Sequence, residues 1–156
     1  MNLLWLLSLL AVVRPAEACT AAPACSCVGP VAPVEALAGA DAVFVGMVVA
    51  IRDTTVTFGD GSGGLGYQQR VVELQVEGAW KGVASNRVTV LTGRGGGDCG
   101  FPFRRAGKYL VYAHRSRGAS PALTTSICSR TSPALHAAED LRSLGPPPFT
   151  GTSSRP

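Results

Sequence analysis

Five cysteines, placed as a cluster and two outliers, constrain this chain more than any other feature. Cys19, Cys25 and Cys27 lie close together, while Cys99 and Cys128 stand alone far downstream. Cys25-Ser26-Cys27 is the sharpest part of the pattern. Two cysteines separated by one residue on extended backbone share a face with their Cα atoms about 6.6–6.8 Å apart, at the upper limit of the disulfide range, so they are poorly placed to bond each other, and each can anchor to a different partner. Cys99 and Cys128 are the available partners, and any such bridge closes a long loop, for which the chain-entropy model gives roughly 4 kcal/mol. The competing use is a four-thiolate zinc site. That site wants C-x₂₋₄-C spacing, which C-x-C with two solitary cysteines does not supply. Because five is odd, one thiol is left over.

Pairing requires an oxidising compartment, and the N-terminus points to one. Leu3 to Val13 is an apolar run of signal-peptide length, too short to span a bilayer, and Ala16-Glu17-Ala18 supplies the small–x–small pattern of a cleavage site. Residues 1–18 are therefore expected to be a signal peptide. A second small–x–small pattern, Ala22-Pro23-Ala24, offers an alternative end at residue 24. The mature chain is expected to be secreted, extracellular or periplasmic. A membrane enters only if Cys19 is lipidated, and Ala16-Glu17-Ala18-Cys19 is a degenerate lipobox, without Leu at −3 and with Glu at −2.

The net charge is +4 and charged residues make up only 15% of the chain, which excludes a disordered polyelectrolyte. The basic residues are scattered, apart from Arg104-Arg105-Lys108 and Arg115-Arg117, and no aromatic residues interleave with them as a base-stacking surface requires. No nucleic-acid partner is expected. Nineteen glycines and eleven prolines favour many short strands over long helices.

The pattern predicts two helical turns over 34–40, with Pro33 in the first-turn position. Strands follow over 42–51 (with Gly46 as a bend or bulge), 69–76, 87–92, 108–113 and 122–127. A flexible connection is expected at 59–66, a corner at Trp80-Lys81-Gly82, and a glycine-rich loop carrying Cys99 at 93–100. Ser132 as N-cap and Pro133 as first residue predict a helix running to Leu144. Residues 145–156 are expected to be disordered. Five strands closed by a helix make one mainly β domain over 19–144, and the pattern alone leaves a small barrel and a sandwich both open.

Little else carries chemistry. Gly93 to Gly100 lacks the Gly-Lys-Ser/Thr end of a phosphate loop. Asp60 and Asp98 sit in loops without the carboxylate density calcium needs. His114 and His136 have no nearby cysteine or serine that suggests a triad. Neither catalytic activity nor a cofactor is expected.

One resemblance runs through most of the chain. Cys25-Ser26-Cys27 and the proline-containing stretch after it, Ala40-Asp41-Ala42-Val43-Phe44-Val45-Gly46, Trp80-Lys81-Gly82, Cys99-Gly100, the Gly107 to Tyr112 run and the Leu123 to Cys128 run follow one another in order. Together they resemble the N-terminal domain of tissue inhibitors of metalloproteinases over about residues 25–144, most closely the single-domain bacterial members. The resemblance implies a netrin-like fold, a five-stranded OB barrel with flanking helices. It also implies the pairings Cys25–Cys99 and Cys27–Cys128.

The function it implies is inhibition of an extracellular zinc metalloproteinase. In the family, the N-terminal cysteine chelates the target's catalytic zinc through its α-amino nitrogen and carbonyl oxygen. Carried over, Cys25 is the zinc ligand in trans and Ser26 points into the primary specificity pocket. Cys27, Val28, Gly29 and Pro30 then line the protease cleft, with Asp98 and Gly100 beside Cys99. The chemistry needs Cys25 at the mature N-terminus. Cleavage after Ala18 leaves Cys19–Ala24 acylating the critical nitrogen, whereas cleavage after Ala24 frees it. The alternative function is an extracellular OB-fold binding or surface module that keeps the stapled barrel and lacks inhibitory activity.

Overall fold

The computed structural model describes residues 25–29, 31–57, 66–117 and 122–151. The expected signal segment, Cys19, Pro30, nearly all of the glycine-rich connection and the last residues of the tail lie outside these. Four long or medium strands carry the fold: β1 (Ala42–Thr57), β2 (Gly66–Lys81), β3 (Arg87–Thr92) and β4 (Lys108–Arg115). Three two-residue strands, β5 (Leu123–Thr124), β6 (Ser132–Pro133) and β7 (Phe149–Thr150), and two short helices, α1 (Pro33–Gly39) and α2 (Ala138–Leu144), complete it. No helix among the described residues is long and apolar enough to cross a membrane.

The sheet is mixed and closes on itself. Its order is β1-β2-β3-β5-β4, and β4 pairs back onto β1 from Ala42↔Ala113 to Met47↔Lys108, which makes a ring of five strands. The β3–β5 pair is parallel and the other pairs in the ring are antiparallel. Period-2 alternation explains what lies inside. Phe44 and Val48 of β1, Val72, Leu74 and Val76 of β2, Val90 of β3, and Tyr109 and Val111 of β4 pack in one cluster with Phe101 and Phe103. The intervening Val43, Leu110 and Tyr112 turn the other way and pack with Ala40, Ala137, Leu37 and Leu141 of the helical layer. β4 is thus covered on both faces, which is why Tyr109 to Ala113 is a continuous apolar run rather than an alternating one.

Gly46 falls at a register shift in the β1–β2 pairing, as the sequence leads one to expect. A Cβ there would stand 2.9 Å from the Gln75 carbonyl oxygen. The Trp80-Lys81-Gly82 run proves to be a three-part junction. Trp80 Nε1 donates to the Gly145 carbonyl after α2 (2.9 Å), and Lys81 Nζ donates to the Leu37 and Ala38 carbonyls at the end of α1 (3.2 and 2.8 Å). Unpaired helix-end carbonyls are thereby satisfied from a strand. Gly82 then turns the chain at φ 70°, where a Cβ would collide with the Asp41 carbonyl oxygen at 2.0 Å.

Several expectations are corrected. The predicted C-terminal helix does not begin at Pro133: Ser132 and Pro133 pair with Leu110 and Tyr109 of β4. A 3₁₀ turn follows over Ala134–His136, and α2 begins only after the fully buried Ala137. Pairing with the β4 edge captures the two residues that would have capped and opened a longer helix. β1 and β2 extend well past the expected ends, and exposed cross-strand pairs (Arg52–Glu73, 2.9 Å; Arg70–Asp53, 3.0 Å) line the extension. The segment from Gly145, expected to be disordered, instead returns to β2: Phe149 pairs with Ala79, Thr150 with Gly78, and the Gly151 N–H donates to the Glu77 carbonyl (3.0 Å). Phe149 packs against the core, and that apolar burial outweighs the turn-rich composition around it.

Candidate functional site

Two disulfides, Cys25–Cys99 and Cys27–Cys128, fasten residues 25–29 to the ring, with Cα–Cα distances of 5.4 and 5.1 Å. The two cysteines of the C-x-C pair bond to different partners. The Sγ atoms of Cys25, Cys99 and Cys128 lie within 4.8 Å of one another, so the two bridges are neighbours. All of these sulfurs are in disulfide bonds, which leaves no thiolate there to hold a metal of the chain's own. Cys25 is half-buried, whereas Ser26, Cys27, Val28 and Gly29 are exposed, Val28 to 97%. An apolar side chain left this bare on a doubly fastened segment forms an edge facing outward. A groove of about 610 Å³ runs along it, between Ser26–Gly29 and the Ile127–Arg130 turn.

The loop carrying Cys99 is built around one carboxylate. Asp98 Oδ2 accepts the Arg94 N–H (2.7 Å), and Oδ1 accepts the N–H groups of Gly95 and Gly100 (2.8 and 2.9 Å). This is a backbone nest closed on a side chain of its own loop. It places Cys99 at φ 57°, in the left-handed region. Gly100 is buried against Gly93, and a Cβ would come within 2.2 Å of the Gly93 carbonyl, so glycine is required where the loop closes. Asp98 and Gly100 thus set the height and direction of Cys99, with the carboxylate turned into the loop.

These three N–H donors, that of Gly100 first, hold the Asp98 carboxyl below its ordinary value of 3.8. A carboxylate lowered in this way stabilises the fold fully above its unfolded value, and that stability is lost as pH falls through the folded value. Asp98→Ala is therefore expected to cost about 1–2 kcal/mol near neutral pH, discounted for the solvent exposure of the loop. The gap between variant and parent should narrow below pH 3.8. Urea unfolding of both proteins at about pH 6 and about pH 2.5 measures it. A gap that stays constant across this range would refute the role given to the carboxylate.

Cys128 is delivered differently from expectation. The predicted strand over 122–127 pairs only at Leu123 and Thr124. Beyond it, hydroxyl groups replace ladder bonds. Thr125 Oγ1 and Thr131 Oγ1 both donate to the Tyr112 carbonyl (2.9 and 3.1 Å), the Tyr112 N–H donates to Thr131 Oγ1 (3.0 Å), and Ser129 Oγ lies 2.6 Å from Thr125 Oγ1. The result is a tight turn with Cys128 at its tip. The Ile127 N–H donates to the Cys99 carbonyl (2.9 Å), which joins the two disulfide-bearing loops directly.

Arg130 completes the support. Its guanidinium holds Asp140 of α2 through Nε to Oδ1 (2.6 Å) and Nη2 to Oδ2 (3.2 Å), and Nη1 donates to the Val31 carbonyl (2.6 Å). The Tyr112 hydroxyl also donates to Asp140 Oδ1 (2.8 Å). Burial first, and then the Asp140 carboxylate, push the Tyr112 phenol well above its usual range, while hydrogen bonding to Asp140 raises Arg130 further. At physiological pH Tyr112 is therefore a neutral donor and Arg130 a cation. Cys25 and Cys27 are thus tied down by the two bridges, and Val31 by Arg130.

Of the residues singled out from the sequence, Ser26, Cys27, Val28 and Gly29 share one exposed edge with Cys128, and Cys99, bonded to Cys25, sits between Asp98 and Gly100 in its loop. Pro30 lies outside the described residues. Arg130, Ile127 and the Thr125–Thr131 hydroxyls were not singled out. Their only signal was proximity to Cys128, since an arginine among scattered basic residues and a run of threonines both read as ordinary surface. The chain matches no protein-family model, and no significant match is found among the curated proteins.

Proposed function

We propose that the protein is a secreted metalloproteinase-inhibitor-like protein whose free N-terminal Cys25 binds the catalytic zinc of a target protease. The same reading takes the five-strand ring as an OB-type barrel of the netrin-like kind. One observation carries it: an exposed edge, Ser26 to Gly29, directly follows a cysteine held by a disulfide and is fastened by a second bridge at Cys27. A zinc hydrolase keeps an open coordination position occupied by water. The α-amine and carbonyl oxygen of an N-terminal residue form a five-membered chelate that fills it. Because the bridges and Arg130 already immobilise the segment, little ordering entropy is lost on binding. Ser26 would then enter the pocket beside the zinc, and Cys27 to Pro30 would follow the cleft. The metal belongs to the target, and no residue of this chain performs chemistry.

The cysteine count supports maturation at Ala24–Cys25. Removing residues 1–24 removes Cys19, and the four cysteines that remain are the four joined in disulfides. Intact-mass analysis of the exported protein, with and without reduction, tests this. The expected chain starts at Cys25 with two disulfides. A start at Cys19 acylates the zinc-binding nitrogen, contradicts the inhibitor reading and favours the extracellular binding module instead.

A further inference from the structure

A second groove, about 730 Å³, lies between the 101–109 segment and the Pro133–His136 turn. Ile127 lines both this groove and the one along Ser26–Gly29. The walls are apolar, formed by Phe101, Tyr109 and Pro133, with Leu135 78% exposed and Ile127 43% exposed. The rim is basic. Arg104, Arg105 and Lys108 line it, and no Asp or Glu does among the described residues. Lys108 is paired with Glu77 (2.6 Å), and Arg105 reaches only the Val49 carbonyl at 3.4 Å. The Arg104 guanidinium has no hydrogen-bond or ion-pair partner among the described residues.

The turn that presents these arginines is rigid. The Arg104 N–H donates to the Tyr109 hydroxyl (2.9 Å), and the Gly107 N–H donates to the Arg104 carbonyl (3.1 Å). β1 clasps the turn on its other side, with the Ala106 N–H donating to the Val48 carbonyl and the Val48 N–H donating to the Gly107 carbonyl, each at 2.9 Å. Ala106 is held at φ 58°, a conformation an alanine adopts only when its surroundings enforce it. Two arginines carried on this fixed backbone turn beside bare apolar side chains form a surface with a single sign of charge.

We propose that this groove docks an acidic segment of a protein partner, its carboxylates on Arg104 and Arg105 and a bulky apolar side chain against Leu135 and Ile127. Charge complementarity sets the sign of the partner, and the concave apolar floor favours an extended peptide over a flat membrane surface. Nucleic acid is disfavoured because Phe101, Phe103 and Tyr109 are buried and pack tilted or edge-on against one another, with centroids 4.7 to 5.7 Å apart, so none offers an exposed ring face to a base. The surface does not require zinc chelation by Cys25.

The test uses the mature exported protein and a fluorescein-labelled dodecapeptide of alternating Glu and Leu. Peptides of alternating Lys and Leu, and of Glu and Ser, serve as controls, with phosphatidylglycerol–phosphatidylcholine vesicles as the membrane arm. The Glu/Leu peptide is expected to bind best. The double variant Arg104→Glu/Arg105→Glu should weaken it about tenfold and flatten its salt dependence. Leu135→Ser should weaken it without changing the salt slope. Both variants alter exposed positions, and unchanged melting temperatures would show that the fold is intact. Acetylating Cys25 should leave peptide binding unaltered. Equal binding of the Lys/Leu peptide, tighter binding to the vesicles, or a charge reversal that changes affinity by less than about twofold would overturn the proposal.

Discussion

Removing either disulfide by paired Cys→Ala substitution is expected to lower the unfolding free energy by about 4 kcal/mol, and by nearly the same amount for both bridges. Taken alone, loops of their sequence separations, 74 and 101, would give values within about 0.3 kcal/mol of each other. They do not act alone. With Cys25–Cys99 in place, adding Cys27–Cys128 closes only the circuit made by residues 25–27 and 99–128, roughly 30 residues of chain. With Cys27–Cys128 in place, adding Cys25–Cys99 closes that same circuit. The entropy removed from the unfolded chain is therefore nearly the same in either order. A cost of this size is a large fraction of the roughly 5–15 kcal/mol that stabilises a typical domain. Urea unfolding of the two paired variants, Cys25→Ala/Cys99→Ala and Cys27→Ala/Cys128→Ala, reads it out. Costs that differ by more than about 2 kcal/mol would show that native-state contacts, rather than the shared circuit, set the worth of each bridge.

The same circuit explains why the candidate site has the shape it has. Residues 99 and 128 come from loops that the ring places side by side, joined by the Ile127–Cys99 backbone bond. The C-x-C pair reaches both. Ser26 sits at the midpoint with its neighbours fixed.

How much of this was legible in the sequence depends on what kind of interaction decides each part. Strands β1 to β4 are visible because alternation and β-branched runs report burial directly: Val72, Leu74 and Val76 point one way, and Phe44 and Val48 meet them. Gly46 and Pro33 behave as their backbone preferences dictate. Closure of the ring was not legible, because it depends on two residues, Leu123 and Thr124, pairing in parallel with β3 and antiparallel with β4. A two-residue strand leaves no periodic trace. The helix expected from Pro133 fails for a related reason. Local capping chemistry favoured a helix, but the β4 edge offered Ser132 and Pro133 a tertiary partner that no local pattern encodes.

Within the site, the cysteines were conspicuous and their supports were not. Asp98 read as an isolated loop carboxylate, yet its three backbone donors make it the centre of the loop. Arg130 bonds across 99 residues to Val31, and nothing in the sequence near either position announces the contact. Trp80-Lys81-Gly82 was recognised as a corner. Its role in satisfying the carbonyl ends of both helices emerges only when strand and helices are seen together.

The second large effect concerns the nitrogen of Cys25. Acetylation converts the α-amine to an amide, whose lone pair is delocalised and does not bind zinc, and it adds bulk at the point of closest approach. The carbonyl oxygen alone is a weaker, monodentate ligand. Loss of the chelate is expected to weaken inhibition by on the order of a thousandfold, about 4 kcal/mol. The modification can be made selective. An α-amine has an ordinary pKa of about 7.7–8.0, well below the roughly 10.4 of lysine amines in general, so limited reagent near neutral pH acylates the chain terminus first.

The decisive measurement is a titration of zinc metalloproteinases, at enzyme concentrations well above the dissociation constant, with protein beginning at Cys25 before and after acetylation of that residue. Loss of protease activity to a one-to-one endpoint by the free-amine form, and failure of the acetylated form to reach it, is the predicted result. Equal inhibition by both forms, or none by either, would contradict zinc chelation through Cys25.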